Sequence, residues 1–278
     1  MRRAPAGNPW LLVLPALLLV TVLFLSPIMN MVILSLKTPQ GLSIQNYKNF
    51  FLTPHLTDAM LRSVQLAAIA TFISSIVSWP LAFFLAYIIP PRLRVVALLL
   101  LIAPFWTSFT IRAFSWQLVL SDNGVVAASI SYIIGEPVSV GVLYTMAGSI
   151  LGLTLFGTML TTLTLFGSMT AINQNLLEAS ASLGAKSWSI FRDVVMPLAT
   201  PGWLVGTTLT FVICVGDYAV PTLLGGGLKP VLAQLMLSTV KGTYDLPNAA
   251  TMAMILMFIV FLSAIPMMLH ILVRRKQS

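Results

Sequence analysis

Two ionisable side chains interrupt stretches that are otherwise apolar: Arg112, within Phe109-Thr110-Ile111-Arg112-Ala113-Phe114, and Asp217, within Gly216-Asp217-Tyr218-Ala219-Val220-Pro221. A charge at membrane depth is costly and normally faces a bundle interior or a watery cavity. A helix broken between Gly216 and Pro221 would leave the Asp217 carboxylate beside the Tyr218 ring, a setting that suits a cation. Phe105 and Trp106 offer further aromatic faces that attract an ammonium group. Two readings stay open for Asp217: a substrate contact, or a structural ion pair with Arg112 or Lys229. Arg112 reads as a structural charge that pairs with an acid or a helix C-terminus. Trp106 reads either as a cation-binding face or as packing between helices, and Trp116 as an interfacial residue.

Bond-breaking chemistry has no evident carriers. There is no Gly-Lys-Ser or Gly-Lys-Thr, so no phosphate-binding loop is expected. No serine, histidine and acid form a catalytic set, and His55 and His270 lie far apart in the sequence, so no metal site and no cofactor are expected. Cys214 is the lone cysteine and lies in an apolar run, which excludes a disulfide framework.

The elements that must position these residues follow from composition. The chain has 278 residues, 58% apolar and 8% charged, against roughly 25% charged in an ordinary globular domain. Lipid is the solvent that fits. The net charge of +8 comes without a clustered basic face beyond Arg274, Arg275 and Lys276, so nucleic-acid binding is not expected. A spanning helix needs about 20 mostly apolar residues. Six windows qualify: 10–36, 62–89, 95–120, 142–168, 201–223 and 249–273. The first follows Arg2 and Arg3. Its apolar run exceeds the roughly 7–15 residues of a signal core, and it is read as an uncleaved first span. The fold expected is therefore all-α, a single polytopic membrane domain over residues 1–278.

Basic residues favour the cytoplasmic side of short loops. One face of the six-span arrangement holds Arg2, Arg3, Arg92, Arg94, Lys186, Arg192, Arg274, Arg275 and Lys276. The other holds Lys37, Lys48, Arg62, Lys229 and Lys241. The richer face is expected to be cytoplasmic, with both termini on it. Residues 125–134 are apolar but too short to span, so a short interfacial helix is expected there. Ser74, Ser75, Thr161, Thr162, Gly148, Gly152 and Gly157 suit close helix packing.

The connection Met169–Thr200 lies on the basic-rich side. Asn173 or Asn175 can cap a helix start. Residues 176–183 read as a short helix, which Gly184 ends where a left-handed residue is wanted. Trp188, Ile190, Phe191, Val194 and Val195 form a second apolar face before Pro197. Exposed apolar residues on a short helix between two spans suit docking into a groove of another protein. A plain amphipathic linker lying on the membrane is the alternative.

This loop resembles the cytoplasmic signature of the permease family of binding-protein-dependent ABC importers. That signature is Glu-Ala-Ala, three residues, Gly, nine residues, Ile, one residue, Leu-Pro. Glu178, Ala179, Gly184 and Pro197 match it; Ser180, Val194 and Met196 replace Ala, Ile and Leu. A second resemblance covers residues 103–116 with Asp122-Asn123-Gly124, and residues 216–221 with 223–227. Both look like spermidine/putrescine-type permeases, and together with the loop the likeness covers most of residues 95–278. Related permeases serve opine, iron and phosphonate importers.

The resemblance implies that Glu178, Ala179, Ser180, Gly184, Val194 and Pro197 form the coupling helix that sits in a cleft of an ATPase subunit. It implies partners in two ATPase subunits, a second permease and a periplasmic substrate-binding protein, all in or at the bacterial inner membrane and its lipid. The substrate path is expected to include Asp217, Tyr218, Trp106, Phe105 and Arg112, serving a small cationic solute such as a polyamine. A self-sufficient secondary transporter or channel would call for more spans or inverted repeats. A membrane-embedded enzyme would call for clustered acids or histidines.

Overall fold

In lipid every backbone N–H must find a carbonyl within its own segment, so long apolar runs fold as helices. The computed structural model, which describes residues 9–227 and 229–275, is helical almost throughout. Its helices are α1 (Pro9–Leu36), α2 (Gln45–Leu52), α3 (Pro54–Phe83), α4 (Pro91–Ile102), α5 (Phe109–Leu120), α6 (Val125–Ile134), α7 (Met146–Thr170), α8 (Gln174–Ser182), α9 (Ser187–Ile190), α10 (Met196–Gly216), α11 (Ala219–Leu223), α12 (Leu232–Ser238) and α13 (Leu246–Arg275). Strands β1 (Lys37–Thr38) and β2 (Gly41–Leu42) form a small antiparallel hairpin, with Lys37 opposite Leu42. Six helical stretches are long and apolar enough to cross a membrane: Val13–Leu36, Pro54–Ile88, Phe109–Ile134, Met146–Thr170, Ser187–Gly216 and Leu246–Leu269. Arg2, Arg3 and Lys276, part of the basic-residue asymmetry, lie outside the described residues.

The third stretch differs in detail from the sequence window 95–120. That window folds as α4 and α5, separated by a 3₁₀ turn at Ala103–Trp106 and extended residues at Thr107 and Ser108. Pro104 explains the break, because it brings no N–H to an α-helical ladder. The Pro104 carbonyl accepts both the Thr107 hydroxyl at 2.7 Å and the Thr107 N–H at 3.3 Å. Residues 125–134 form α6, which ends at Gly135 in a left-handed conformation, but they belong to the third apolar stretch, Phe109–Ile134, and are not a helix apart from the spans.

The chain divides into two compact units. One comprises residues 1–57 and 236–255. Its anchor is buried Ser35 near the end of α1: the Tyr47 hydroxyl donates to its Oγ at 2.8 Å, and the Asn46 amide to its carbonyl at 2.9 Å. Most α1 side chains from Val13 to Ile33 are exposed, Phe24 among them, as befits a helix whose solvent is lipid.

The other unit comprises residues 58–235 and 256–278. Its centre is the packing of α7 on α10, made close by small residues. A Cβ added to Gly206 would lie 2.9 Å from the Thr161 backbone, and one added to Gly157 would lie 2.6 Å from Ser74 Oγ. Hydroxyls tie the approach: Thr161 and Thr210 share a bond at 2.9 Å, Ser74 donates to the Thr154 carbonyl at 3.0 Å, and Ser78 to the Thr158 carbonyl at 3.2 Å. Where lipid removes the usual hydrophobic drive between helices, close backbones and interhelical hydrogen bonds hold them together.

Candidate functional site: a docking loop and a broken span

The α8 loop begins and ends as its sequence dictates. Asn173 caps α8, its side chain accepting the Asn175 N–H at 3.0 Å. Gly184 closes it at φ +82°. The Gly184 N–H reaches the Ala181 carbonyl at 2.9 Å, and the Ala185 N–H reaches that of Ser180 at 3.2 Å. This is the paired closure in which a left-handed residue satisfies the last carbonyls of a helix, and glycine adopts it without steric cost.

The loop then splits its side chains between two tasks. Leu177 and Phe191 pack against a buried cluster of Ala82, Ala86, Leu165, Met169, Val195 and Ala199. Trp79 and Phe83 meet Phe191 edge-on at 5.9 and 5.4 Å. The Tyr87 hydroxyl donates to the Met169 carbonyl at 3.0 Å, where α7 gives way to the loop. Leu176 and Leu183 are exposed, Leu183 at 89%, and Trp188 is stacked on Phe191 at 5.4 Å with much of its ring exposed. Glu178, Ala179 and Gly184 are exposed beside them, Ser180 and Val194 are half-buried, and Pro197 opens α10. The loop is thus fastened through Leu177 and Phe191 and leaves apolar surface exposed at Leu176, Leu183 and Trp188.

Between α9 and α10 the chain makes one wide π turn, Phe191–Val195, in which the Met196 N–H donates to the Phe191 carbonyl. An ordinary α-turn would press the Pro197 ring on the Asp193 carbonyl, and the wider turn accommodates it. A second π turn, Phe84–Ile88, ends the α3 stretch. Both turns contribute to the same buried cluster, through Ala86 and Val195 within it and Tyr87 packed against it.

Span five breaks where the sequence suggested. α10 ends at Gly216, and α11 starts at Ala219. Asp217 is 8% exposed, and its two carboxylate oxygens accept the N–H groups of Ala219 at 2.8 Å and Val220 at 3.4 Å. Its charge therefore meets the free amides of the first α11 turn, where an acid is favoured. Among the described residues no ion pair joins Asp217 to Arg112 or Lys229.

Arg112 has found a different neighbourhood. Its guanidinium carbon lies 5.8, 5.6 and 5.1 Å from the ring centres of Phe105, Phe109 and Phe156. Nη2 donates to the Thr107 carbonyl at 3.3 Å, while buried Nε and Nη1 have no partner among the described residues. Of the proposed path residues, the fold thus brings Phe105 and Arg112 together. Trp106 is 78% exposed and has no ring contact among the described residues, and Tyr218 is 46% exposed. Phe109 and Phe156 were missed by sequence reasoning. Phe109 stands three residues before Arg112 and so on its helix face, a signal that was available; nothing in the sequence announces Phe156.

A family model, "Binding-protein-dependent transport system inner membrane component", matches residues 5–278. This chain belongs to that family, the multi-pass inner-membrane permease subunits of ABC importers. The inner membrane ABC transporter permease protein YdcU of Escherichia coli (strain K12) is 30% identical over 199 residues, 68% of this chain and 63% of YdcU. The spermidine/putrescine transport system permease protein PotB of the same organism is 28% identical over 225 residues, 79% of this chain and 81% of PotB. The molybdenum transport system permease protein ModB of Azotobacter vinelandii is 27% identical over 183 residues, 64% of this chain and 76% of ModB. The chain therefore spans just under two thirds of YdcU and more of the other two. Among solved structures, a bacterial ABC transporter that imports the acidic polysaccharide alginate superposes with a TM-score of 0.74 at 16% identity, over 93% of this chain and 94% of that one. The MetNI methionine ABC transporter superposes with a TM-score of 0.57 at 18% identity, over 76% and 92%. These likenesses establish the permease fold; the substrates named are those of the other proteins.

Proposed function

We propose that this chain, acting as one permease domain, forms part of the translocation path of an ABC importer for a small cationic solute of the polyamine class, spermidine or putrescine. ATP hydrolysis belongs to separate ATPase subunits, and a second permease and a periplasmic binding protein complete the assembly within the lipid bilayer. The observation that carries the coupling role is the two-faced loop around α8. Leu177 and Phe191 fasten it to the bundle, while Leu176, Leu183 and Trp188 are offered to a partner. A helix so fastened transmits a push into the bundle, and an apolar face so offered fits a groove. In this reading α8 and both termini are cytoplasmic, and the roles of Glu178, Ala179, Ser180, Gly184, Val194 and Pro197 are those of the docking helix and its hinge.

The polyamine assignment is supported by PotB and by the exposed rings of Trp106 and Tyr218. A second reading, an oxyanion as solute, is favoured by one observation: Arg112 has two unpartnered nitrogens among the described residues, and ModB is also a relative. Uptake by the reconstituted transporter of labelled putrescine, spermidine, molybdate and a neutral amino acid separates them. Accumulation of the polyamines alone is expected. Accumulation of molybdate alone would replace the first reading by the second.

A further inference from the structure

The end of α7 opposite the α8 loop carries a basic cavity that the transport reading does not use. α7 has 25 residues and, at about 1.5 Å per residue, is roughly 37 Å long, enough to carry its two ends to opposite membrane faces. At its first turn is a cavity of about 260 Å³ whose walls include Arg62, Tyr144, Thr145, Ser149 and Lys229. No acid lines it.

The cavity is built rather than incidental. Arg62 Nε donates to the Pro230 carbonyl at 3.2 Å, which fixes the guanidinium and leaves its terminal nitrogens for another acceptor. Among the described residues Lys229 has no acidic partner. Thr145 caps α7 by accepting the Gly148 N–H at 3.3 Å, so the positive end of the helix adds to both cations. Tyr144 holds a left-handed backbone at φ +62°, a strain that a tyrosine sustains only where its surroundings enforce it. Its N–H donates to the Leu224 carbonyl at 2.6 Å, and its hydroxyl accepts from Gln117 at 3.1 Å.

We infer that this cavity receives an acidic side chain of the periplasmic substrate-binding protein. The inference rests on the importer reading, which puts the α8 end at the ATPase and hence this end outside. Arg62, held by its bond to Pro230, with the exposed Lys229 and a helix N-terminus repels a polyamine and attracts a carboxylate. The volume holds one side-chain carboxylate with several waters, each occupying about 30 Å³. A charge pair at such a contact sets both orientation and encounter rate.

The test uses the complete transporter in lipid nanodiscs with its own substrate-binding protein. Binding is followed by biolayer interferometry, and ATPase activity on the same sample. Arg62→Gln with Lys229→Gln should weaken docking by about tenfold or more and flatten its salt dependence, leaving ATPase activity without binding protein unchanged. Lys229→Gln alone, on an exposed loop residue, should give a smaller loss in the same direction and guards against misfolding of the double variant. A Lys229→Glu variant should regain docking when an acid on the binding protein is changed to Lys. Unchanged docking in both neutralised variants would overturn the inference, as would lost uptake with docking intact, which would place the cavity on the solute's path. If the unaltered transporter neither binds nor responds to the binding protein, the importer reading fails, and this inference fails with it.

Discussion

The α8 loop and the break at Asp217 are both helix interruptions closed by a polar cap, yet they direct their chemistry in opposite senses. At α8, Asn173 and Gly184 satisfy the backbone locally, so Leu176, Leu183 and Trp188 can remain outside without stranding polar groups. At the span-five break the cap is a charge, and both of its oxygens turn onto the amides of Ala219 and Val220 within a buried setting. An exposed interruption frees side chains for a partner. A buried one commits its side chain to its own backbone, and a carboxylate so committed has less to offer a passing cation.

The largest expected effect on this contrast comes from removing the buried cap. Asp217→Ala should strand the first α11 amides and lower stability by about 1–2 kcal/mol, read as a lower Tm of the detergent-purified subunit, with a matching loss of uptake. Asp217→Asn keeps an acceptor oxygen and should lose less. A cation site would behave otherwise: Asn would cost uptake as much as Ala and leave Tm unmoved.

A smaller effect separates the cap from an ion pair. Because Arg112 is held by Phe105, Phe109 and Phe156 rather than by Asp217, Asp217→Asn and Arg112→Gln should be additive to within about 0.5 kcal/mol in a double-mutant cycle. Rescue of either variant by the other would restore the ion-pair view.

These outcomes bear on what was legible in the sequence. The number of apolar stretches was, because length and the absence of charge suffice to mark a span, although the third lies at 109–134 and not at 95–120. The α8 loop was legible to within two residues at its start, where Asn173 and Asn175 were both open as caps, and to one residue at its end before Gly184, since Asn before and Gly after a short helix are local signals with local causes. Asp217 was recognised as unusual but its hydrogen bonds to the first α11 amides were not foreseen, because a five-residue helix inside an apolar run leaves no periodicity from which to place a cap. The break at Thr107 was missed although Pro104 marked it. Phe156 beside Arg112, and Arg62 beside Lys229 at one cavity, are pairings across the fold that no spacing encodes.

The central claim is that α8 is a preset docking helix whose geometry, and not merely whose presence, couples the ATPase to the bundle. Gly184 tests it most directly. Asn tolerates the left-handed backbone and Val does not. In the reconstituted transporter, with ATPase activity stimulated by the binding protein, Gly184→Asn should stay near the unaltered rate. Gly184→Val should insert normally yet lose most of the stimulation and the accompanying uptake. Full stimulation and uptake with Gly184→Val would contradict the account.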